Sequence, residues 1–185
     1  AWRRGSVFSR RTLTLSAPSH ASLFKVTWES FAEQVGWEKE AMWHLGYTSG
    51  NRFHEVEADE ALVVALNSDL TGMQLLIESS PPNPATRASR RILVENLFSQ
   101  ISSSVAHRVA SDFRKWVDDG ELQLDSVDDR SLTGKLLAFF EQHRVSRADI
   151  AEGKFSDHAE MSHFIQGALA VGSALDESAW RRISQ

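Results

Sequence analysis

The chain has 185 residues, no cysteine and a formal net charge of −5. This length suggests one folded domain with an extension, and the lack of cysteine excludes disulfides, thiolate zinc sites and cysteine nucleophiles. The longest apolar run, residues 61–77, is interrupted by Asn67, Ser68 and Asp69, so it falls short of the roughly 20 apolar residues of a membrane-spanning helix. We therefore expect a soluble protein, at most peripheral to a membrane.

The first 25 residues form a basic arm that contains no acid. They carry +5, so that residues 26–185 carry −10. A segment rich in arginine and serine and free of acids is typical of an organellar transit peptide, and the clustering of its arginines favours the mitochondrial matrix over the plastid. The alternative is a disordered basic tail.

The arm also predicts a contact with a partner subunit. Arginine binds carboxylates in a forked, two-bond geometry, and interface energy concentrates in aromatic and arginine side chains. The candidate contact residues in the arm are Trp2, Arg3, Arg4, Phe8, Arg10 and Arg11. We expect this arm to dock on another protein subunit.

Residues 26–78 are predicted as an N-terminal helical part. Trp28, Phe31 and Val35 recur at helical intervals. The predicted elements are helices up to Gly46, a loop over 47–58, a helix capped by Asp59 that runs to Asn67, and another helix or its continuation over 70–79.

A proline-rich break at 79–84 separates this part from residues 85–185, which are expected to form one domain with it. The longest periodic stretch runs from about 85 to 117 and predicts a long helix. Its apolar side chains recur every four residues at Leu93, Leu97, Ile101, Val105, Val109 and Phe113.

A basic patch lies near the start of this helix, at Arg87, Arg90 and Arg91. Cations at a helix N-terminus oppose the helix dipole. An acidic partner, or the acidic loop at 118–129, would explain their placement, and an ordinary solvated face is the alternative. We include the three arginines among the candidate partner contacts.

Short helices are predicted behind the acidic loop, with N-caps at Ser131, at Ser156 or Asp157, and at Asp176. The only candidate strands, 52–57 and 121–127, are too short to build a sheet alone. The predicted fold class is therefore all-α, an irregular helical bundle or a short array of helix pairs behind the extended arm.

Three motifs resemble chemical sites, but each lacks residues that such a site needs. The run S-L-T-G-K-L-L at 131–137 lacks the first glycine and the Ser or Thr of a phosphate loop. Glu160 and His163 form one E-x-x-H pair, whereas di-iron bundles need two such pairs and further carboxylates. Glu40 and His44 are four residues apart and would face the same side of a helix, but this spacing alone does not indicate a metal site. We predict no catalytic residue, no metal and no cofactor.

Residues 139–167 resemble the helix-turn-helix of phage-repressor-like DNA-binding domains. The resemblance implies a first helix over 146–151 and a recognition helix over 158–166. DNA binding depends on cations that neutralise phosphate, whereas this segment carries Asp157 and Glu160 on a body of −10. A DNA-binding regulator is therefore an alternative function.

The general profile of the chain resembles the soluble accessory subunits of mitochondrial ATP synthases and respiratory complexes. The resemblance implies a non-catalytic protein, not itself an enzyme, that acts in the matrix through protein–protein contacts. A mitochondrial ribosome subunit is the other alternative, although an acidic body is poorly suited to packing on RNA.

Overall fold

The computed structural model describes residues 25–48, 52–78 and 83–175. It combines helices with a three-stranded sheet, so the prediction of an all-α bundle or helix-pair array is wrong. The strands are β1 (Lys25–Glu29), β2 (Trp43–Tyr47) and β3 (Leu62–Asn67). The helices are α1 (Ala58–Ala61), α2 (Thr71–Glu78), α3 (Pro84–Asp118), α4 (Leu132–Gln142), α5 (Arg147–Ala151) and α6 (His158–Leu175).

The sheet has the order β1-β3-β2, with β1 parallel and β2 antiparallel to β3. The central strand β3 is buried almost throughout. A strand that is buried on both faces has a continuous apolar sequence without alternation, which is why residues 62–67 were wrongly predicted to be helical. Gly46, predicted as a helix stop, lies inside β2.

The two faces of the sheet pack against different parts of the chain. Trp28, Leu66 and Trp43 are neighbours in register, and paired residues point to the same face. The indole Nε1 of Trp43 lies 3.5 Å from Oε1 of Gln100 on α3, so α3 crosses this face. On the other face, the ring of Trp37 stacks on His44 with centroids 4.0 Å apart.

The long helix α3 confirms the prediction for residues 85–117. Pro84 occupies its first turn, where proline needs no hydrogen-bond partner, and the Asn83 side chain accepts a hydrogen bond from the backbone N–H of Ala85. Its buried side chains are Leu97, Ile101, Ser103, Val105, Ala106, Val109, Ala110 and Phe113. The first three turns of α3 therefore contribute no buried side chain.

The helices α2, α4, α5 and α6 all pack against α3. One hydrophobic core joins the sheet to this helical layer, because Val26, Leu62 and Val64 belong to the same cluster as Ile101 and Phe140. The rings of Phe140, Phe155 and Phe164 pack together at the junction of α4 and α6.

Helices α3, α4 and α5 end in the same way, with a residue of positive φ just beyond the helix. The residues are Gly120 (φ 72°), Arg144 (φ 63°) and Gly153 (φ 102°). In α4 the N–H of Val145 donates to the Phe140 carbonyl at 3.0 Å, the bond that closes this type of helix end. Arg144 is thus a non-glycine residue at a position that favours glycine.

We predict that Arg144→Gly stabilises the protein by about 0.5 kcal/mol. Glycine adopts a positive φ without strain, and this gain exceeds the cost of the extra freedom that glycine gives the unfolded chain. Urea unfolding midpoints measure the change. Gly120→Ala is the matched control, since a Cβ there meets nothing within 4 Å, and it should destabilise by about 1 kcal/mol. A lower midpoint for Arg144→Gly would contradict the prediction.

Candidate functional site

The predicted contact residues of the arm lie outside the described residues. They are Trp2, Arg3, Arg4, Phe8, Arg10 and Arg11. Docking of the arm on a partner therefore stays a prediction.

The three arginines of the basic patch have different surroundings. Arg90 is half-buried, and its Nε donates to the Ile77 carbonyl at 3.0 Å, near the C-terminal end of α2, where a cation is favourable. The Nε of Arg91 donates to Oε1 of Glu95 at 2.7 Å, one turn further along α3. Arg87 is exposed. Arg90 thus links α3 to α2, whereas Arg91 pairs within α3 itself.

The acidic loop at 118–129 is held by a different cation, Arg147 at the start of α5. Its guanidinium donates to the Leu124 carbonyl at 3.2 Å and to Oε1 of Glu141 at 2.9 Å. It also lies 3.8 Å from Oδ1 of Asp129. Sequence reasoning missed this contact, because nothing in the local pattern distinguishes Arg147 from the other arginines.

Three large apolar side chains are exposed on the segments that follow β1 and β3 and precede β2, and these segments join the sheet at the same end. The exposed fractions are 98% for Val35, 38% for Met42 and 69% for Leu75. Val35 lies on the turn before Gly36, which has φ 82°. Met42 immediately precedes β2, and Leu75 lies on α2, directly after β3. We call Val35, Met42 and Leu75 the apolar end.

A hydrogen bond fixes two parts of this end relative to each other. The backbone N–H of Ala32 donates to Oδ2 of Asp69 at 2.8 Å, which ties the segment after β1 to the segment after β3. Sequence reasoning did not find the apolar end, because Val35 was predicted to lie on a helix with Trp28 and Phe31. Its exposure follows from the turn that replaces that helix.

A group of polar side chains lies where β2 meets the C-terminal half of α3. The Nε of Arg108 donates to Oδ2 of Asp112 at 3.0 Å. Burial raises the pKa of Asp112, and Arg108 opposes this shift. Burial also raises the pKa of Tyr47. A carboxyl with a raised pKa is a feature of acid–base sites, but this one is engaged by an arginine within its own helix.

We predict opposite pH dependences for Asp112→Asn and Asp69→Asn. The pKa of Asp112 is raised by burial, so ionisation of this carboxyl costs stability as the pH rises through its folded-state value. Hydrogen bonds from the Ala32 backbone and the Ser30 side chain lower the pKa of Asp69, so its contribution is present at neutral pH and is lost as the pH falls below its ordinary value of 3.8.

In urea unfolding, the stability of Asp112→Asn relative to that of wild type should therefore be greater at pH 7 than at pH 3. Asp69→Asn should be destabilised at pH 7, with a difference from wild type that shrinks in acid. A pH dependence of the same sign for both variants, measured as the stability difference from wild type, would contradict the prediction.

The candidate metal ligands do not come together in the described part of the chain. No group of three or more His, Cys, Asp or Glu residues there could hold a metal ion. Glu160 and His163 are exposed on α6. His44 is stacked on Trp37, and burial lowers the pKa of its imidazole.

The segment that resembles a helix-turn-helix forms α5 and α6, joined by residues 152–157. The first helix has five residues, and the exposed side chains of the second include Glu160, His163 and Gln166. Helix α6 contains neither arginine nor lysine. Its exposed face therefore offers no arginine or lysine to phosphate.

Within the described ranges, no helix is both long and apolar enough to cross a membrane. The comparisons with known proteins give no relative: no family model, no curated protein and no solved structure matches the chain.

Proposed function

We propose that the protein is a non-catalytic subunit that binds another protein through its apolar end. The observation that carries the proposal is the exposure of Val35, Met42 and Leu75 on three segments at the same end of the sheet. Exposed apolar side chains that gather in one region mark interaction surfaces, whereas isolated ones need no explanation. Burial of one large apolar side chain in an interface contributes about 1.5–3 kcal/mol.

The partner that we propose is a large mitochondrial assembly, an ATP synthase or a respiratory complex on its matrix side. This rests on the transit-like composition of the basic arm and on the division of charge between the arm and the acidic remainder. In such a complex the arm and the apolar end would make two separate contacts. Two linked contacts bind more tightly than either alone.

The proposal is tested with Val35→Asp combined with Leu75→Asp. Both side chains are exposed, so the double variant should keep its melting temperature, since surface substitutions usually change stability by less than about 0.5 kcal/mol each. Complex-resolved mass spectrometry of isolated mitochondria should show wild type comigrating with a large complex and the variant mostly released from it.

The control adds the same two charges elsewhere, with Gln123→Asp and Ala159→Asp, both at exposed positions. It should comigrate as wild type does. Full occupancy of the complex by the Val35→Asp, Leu75→Asp variant would overturn the role of the apolar end. Comigration of wild type with ribosomes, or nuclease-sensitive retention of a small species, would favour one of the alternative functions instead.

A further inference from the structure

Strand β2 forms one edge of the sheet, and the hydrogen bonds at its two ends show which of its residues bond to β3. In an antiparallel ladder, residues that bond to the neighbouring strand alternate with residues whose N–H and C=O groups point away from it. The N–H of Asn67 donates to the Met42 carbonyl at 3.0 Å, and the N–H of Thr48 donates to the Ala61 carbonyl at 3.1 Å. Both bonds fit the register of β2 on β3, so the even-numbered residues of β2 bond to β3.

The odd-numbered residues of β2 direct their backbone groups away from the sheet. They are Trp43, Leu45 and Tyr47. In the part of the chain that the structure describes, no hydrogen bond reaches the N–H or C=O groups of these three residues. All five residues of β2 are half-buried. We call Trp43, Leu45 and Tyr47 the open edge.

The opposite edge of the sheet, strand β1, is different. The N–H of Ser68 donates to the Glu29 carbonyl at 2.9 Å, so the odd-numbered residues of β1 bond to β3 and the backbone groups of Val26 point outward. Val26 is 0% exposed, and no other chain can reach this edge there. Of the two edges of the described sheet, β2 is therefore the accessible one.

No feature of β2 blocks pairing with another strand. Proteins protect open edges with lysine, proline or a bulge. The sequence of β2, W-H-L-G-Y, contains no lysine, acid or proline, and its register on β3 runs without a bulge. Burial lowers the pKa of His44, so this side chain is mostly uncharged at pH 7. Such an edge is a template for an added strand.

We propose that β2 pairs antiparallel with β2 of a second copy of this chain, about a twofold axis at Leu45. This axis places Leu45 opposite the partner's Leu45 and Trp43 opposite the partner's Tyr47. Every residue of the open edge then meets a residue whose N–H and C=O groups point toward it. Three such pairs with two bonds each give six main-chain hydrogen bonds.

The side chains of β2 complement each other in this pairing. Trp43 and the partner's Tyr47 lie on the same face and form an aromatic pair across the two strands. On the other face, His44 lies opposite the partner's Gly46. The ring of Trp37 stacks on His44, and a glycine opposite leaves room for this stack.

Gly46 is not needed by the contacts of its own chain. A Cβ at this position would lie 3.8 Å from the Val63 carbonyl oxygen, an ordinary contact distance. Glycine inside a strand often marks the close approach of another backbone. The order of side chains along β2 therefore favours a second copy over an unrelated strand.

The size of the contact predicts a weak dimer. A strand of five residues spans about 17 Å, and its edge is smaller than the roughly 800 Å² that each partner buries in a stable complex. The dimer should therefore dissociate on dilution. This inference goes beyond the proposed function and does not rest on it.

Sedimentation equilibrium of the full chain between about 1 and about 500 μM tests the proposal. The mean mass of wild type should rise with concentration toward that of two copies. Leu45→Pro removes an outward N–H and no bond to β3, since an edge strand accepts proline at such a position. Its dissociation constant should be at least about tenfold higher than that of Leu45→Ala, which loses the same side chain but keeps the N–H.

A second measurement tests the register without Leu45→Pro and uses the lack of cysteine in the natural chain. A mixture of the single variants His44→Cys and Gly46→Cys should form a disulfide between copies on mild oxidation, because directly opposite residues of this type have Cα atoms about 4.5 Å apart. It should form at least about fivefold faster than in Gly46→Cys alone, where the two thiols are diagonal.

Three results would overturn the proposal. The first is a wild-type chain that stays monomeric over the whole concentration range. The second is a disulfide rate in the mixture no higher than in Gly46→Cys alone. The third is a dimer that persists in Leu45→Pro but is lost in the Val35→Asp, Leu75→Asp variant, which would assign the contact between copies to the apolar end.

Discussion

Gly134→Ala is expected to destabilise the protein by about 3 kcal/mol, although alanine is the better helix former by about 1 kcal/mol. Gly134 lies in the first turn of α4, against the preceding loop. A Cβ at this position would lie 2.1 Å from the Asp128 carbonyl oxygen and 2.8 Å from the Asp129 Cα. Both obstacles are backbone, so the loop or the helix must move.

The movement would also weaken the start of α4. The N–H of Gly134 donates to the Ser131 hydroxyl at 3.0 Å, and loss of an N-cap costs about 1 kcal/mol. Thermal unfolding should therefore show a melting temperature lower by roughly 10 °C.

Gly72→Ala is the matched control, because both glycines follow the same two residues, Leu-Thr, in the sequence. A Cβ at Gly72 meets nothing within 4 Å, so this variant should be stabilised by about 0.5–1 kcal/mol through helix propensity. A similar change in stability for both variants would show that the close approach of the loop to α4 does not require glycine at position 134.

These two glycines also show where sequence reasoning stops. The pattern around Gly134 excluded a phosphate loop, but it could not reveal that a loop crosses the helix at this residue. That contact depends on the path of residues 128–131. Gly72 carries the same local sequence and has no such neighbour.

Local signals in the sequence identified the long helix and its neighbours. Ser131 was predicted as an N-cap, and its side chain accepts from Gly134 N–H. Asp157 was one of two candidates, and its Oδ1 accepts from the N–H of Ala159 at 2.8 Å. Caps depend on residues within one turn of each other, which is why a single sequence reveals them.

The sheet was missed because its pairings are distant in sequence. Val26 pairs with Val64, 38 residues later, and no local window contains both. Trp28 and Phe31, three residues apart, suggested one helix face, yet Trp28 lies on a strand and Phe31 on the short turn behind it. Two residues at a helical spacing do not distinguish a helix from a strand followed by a turn.

The candidate site was predictable only in part. The basic patch on α3 was visible in the sequence, but the bond from Arg90 to the Ile77 carbonyl requires the hairpin of α2 and α3. The apolar end depends on the directions of the three strands, which bring the segments that carry Val35, Met42 and Leu75 to the same end of the sheet. Once the sheet is missed, the surface cannot be inferred.

Asn67 holds the apolar end in place from inside the molecule. It is fully buried at the end of β3, and its Nδ2 donates to the carbonyl oxygens of Lys39 and Ala41, both at 2.9 Å. Its Oδ1 accepts from the N–H of Asp69 at 3.0 Å. The side-chain amide therefore connects the segment before β2 with the turn before α2.

We predict that Asn67→Asp costs about 3–5 kcal/mol at pH 7, because the variant places a buried carboxylate beside two carbonyl oxygens. The side chain keeps its shape, so the loss isolates the exchange of a donor for an acceptor. Asn96→Asp, at an exposed position on α3, is the control and should stay within about 0.5 kcal/mol of wild type.

The pH dependence separates this cause from a general packing defect. Burial and the facing carbonyl groups should raise the pKa of the new carboxyl in the folded state, since both disfavour its charged form. Stability is then highest below the pKa of the unfolded chain, where the protonated acid can donate to one of the two carbonyl oxygens, and it falls as the pH rises. Urea unfolding from pH 4 to pH 8 should show the gap between Asn67→Asp and wild type widening steadily. A gap that stays constant over this range would mean that the two hydrogen bonds from Nδ2 do not hold the segment before β2. In that case the position of Met42 at the apolar end would need another explanation.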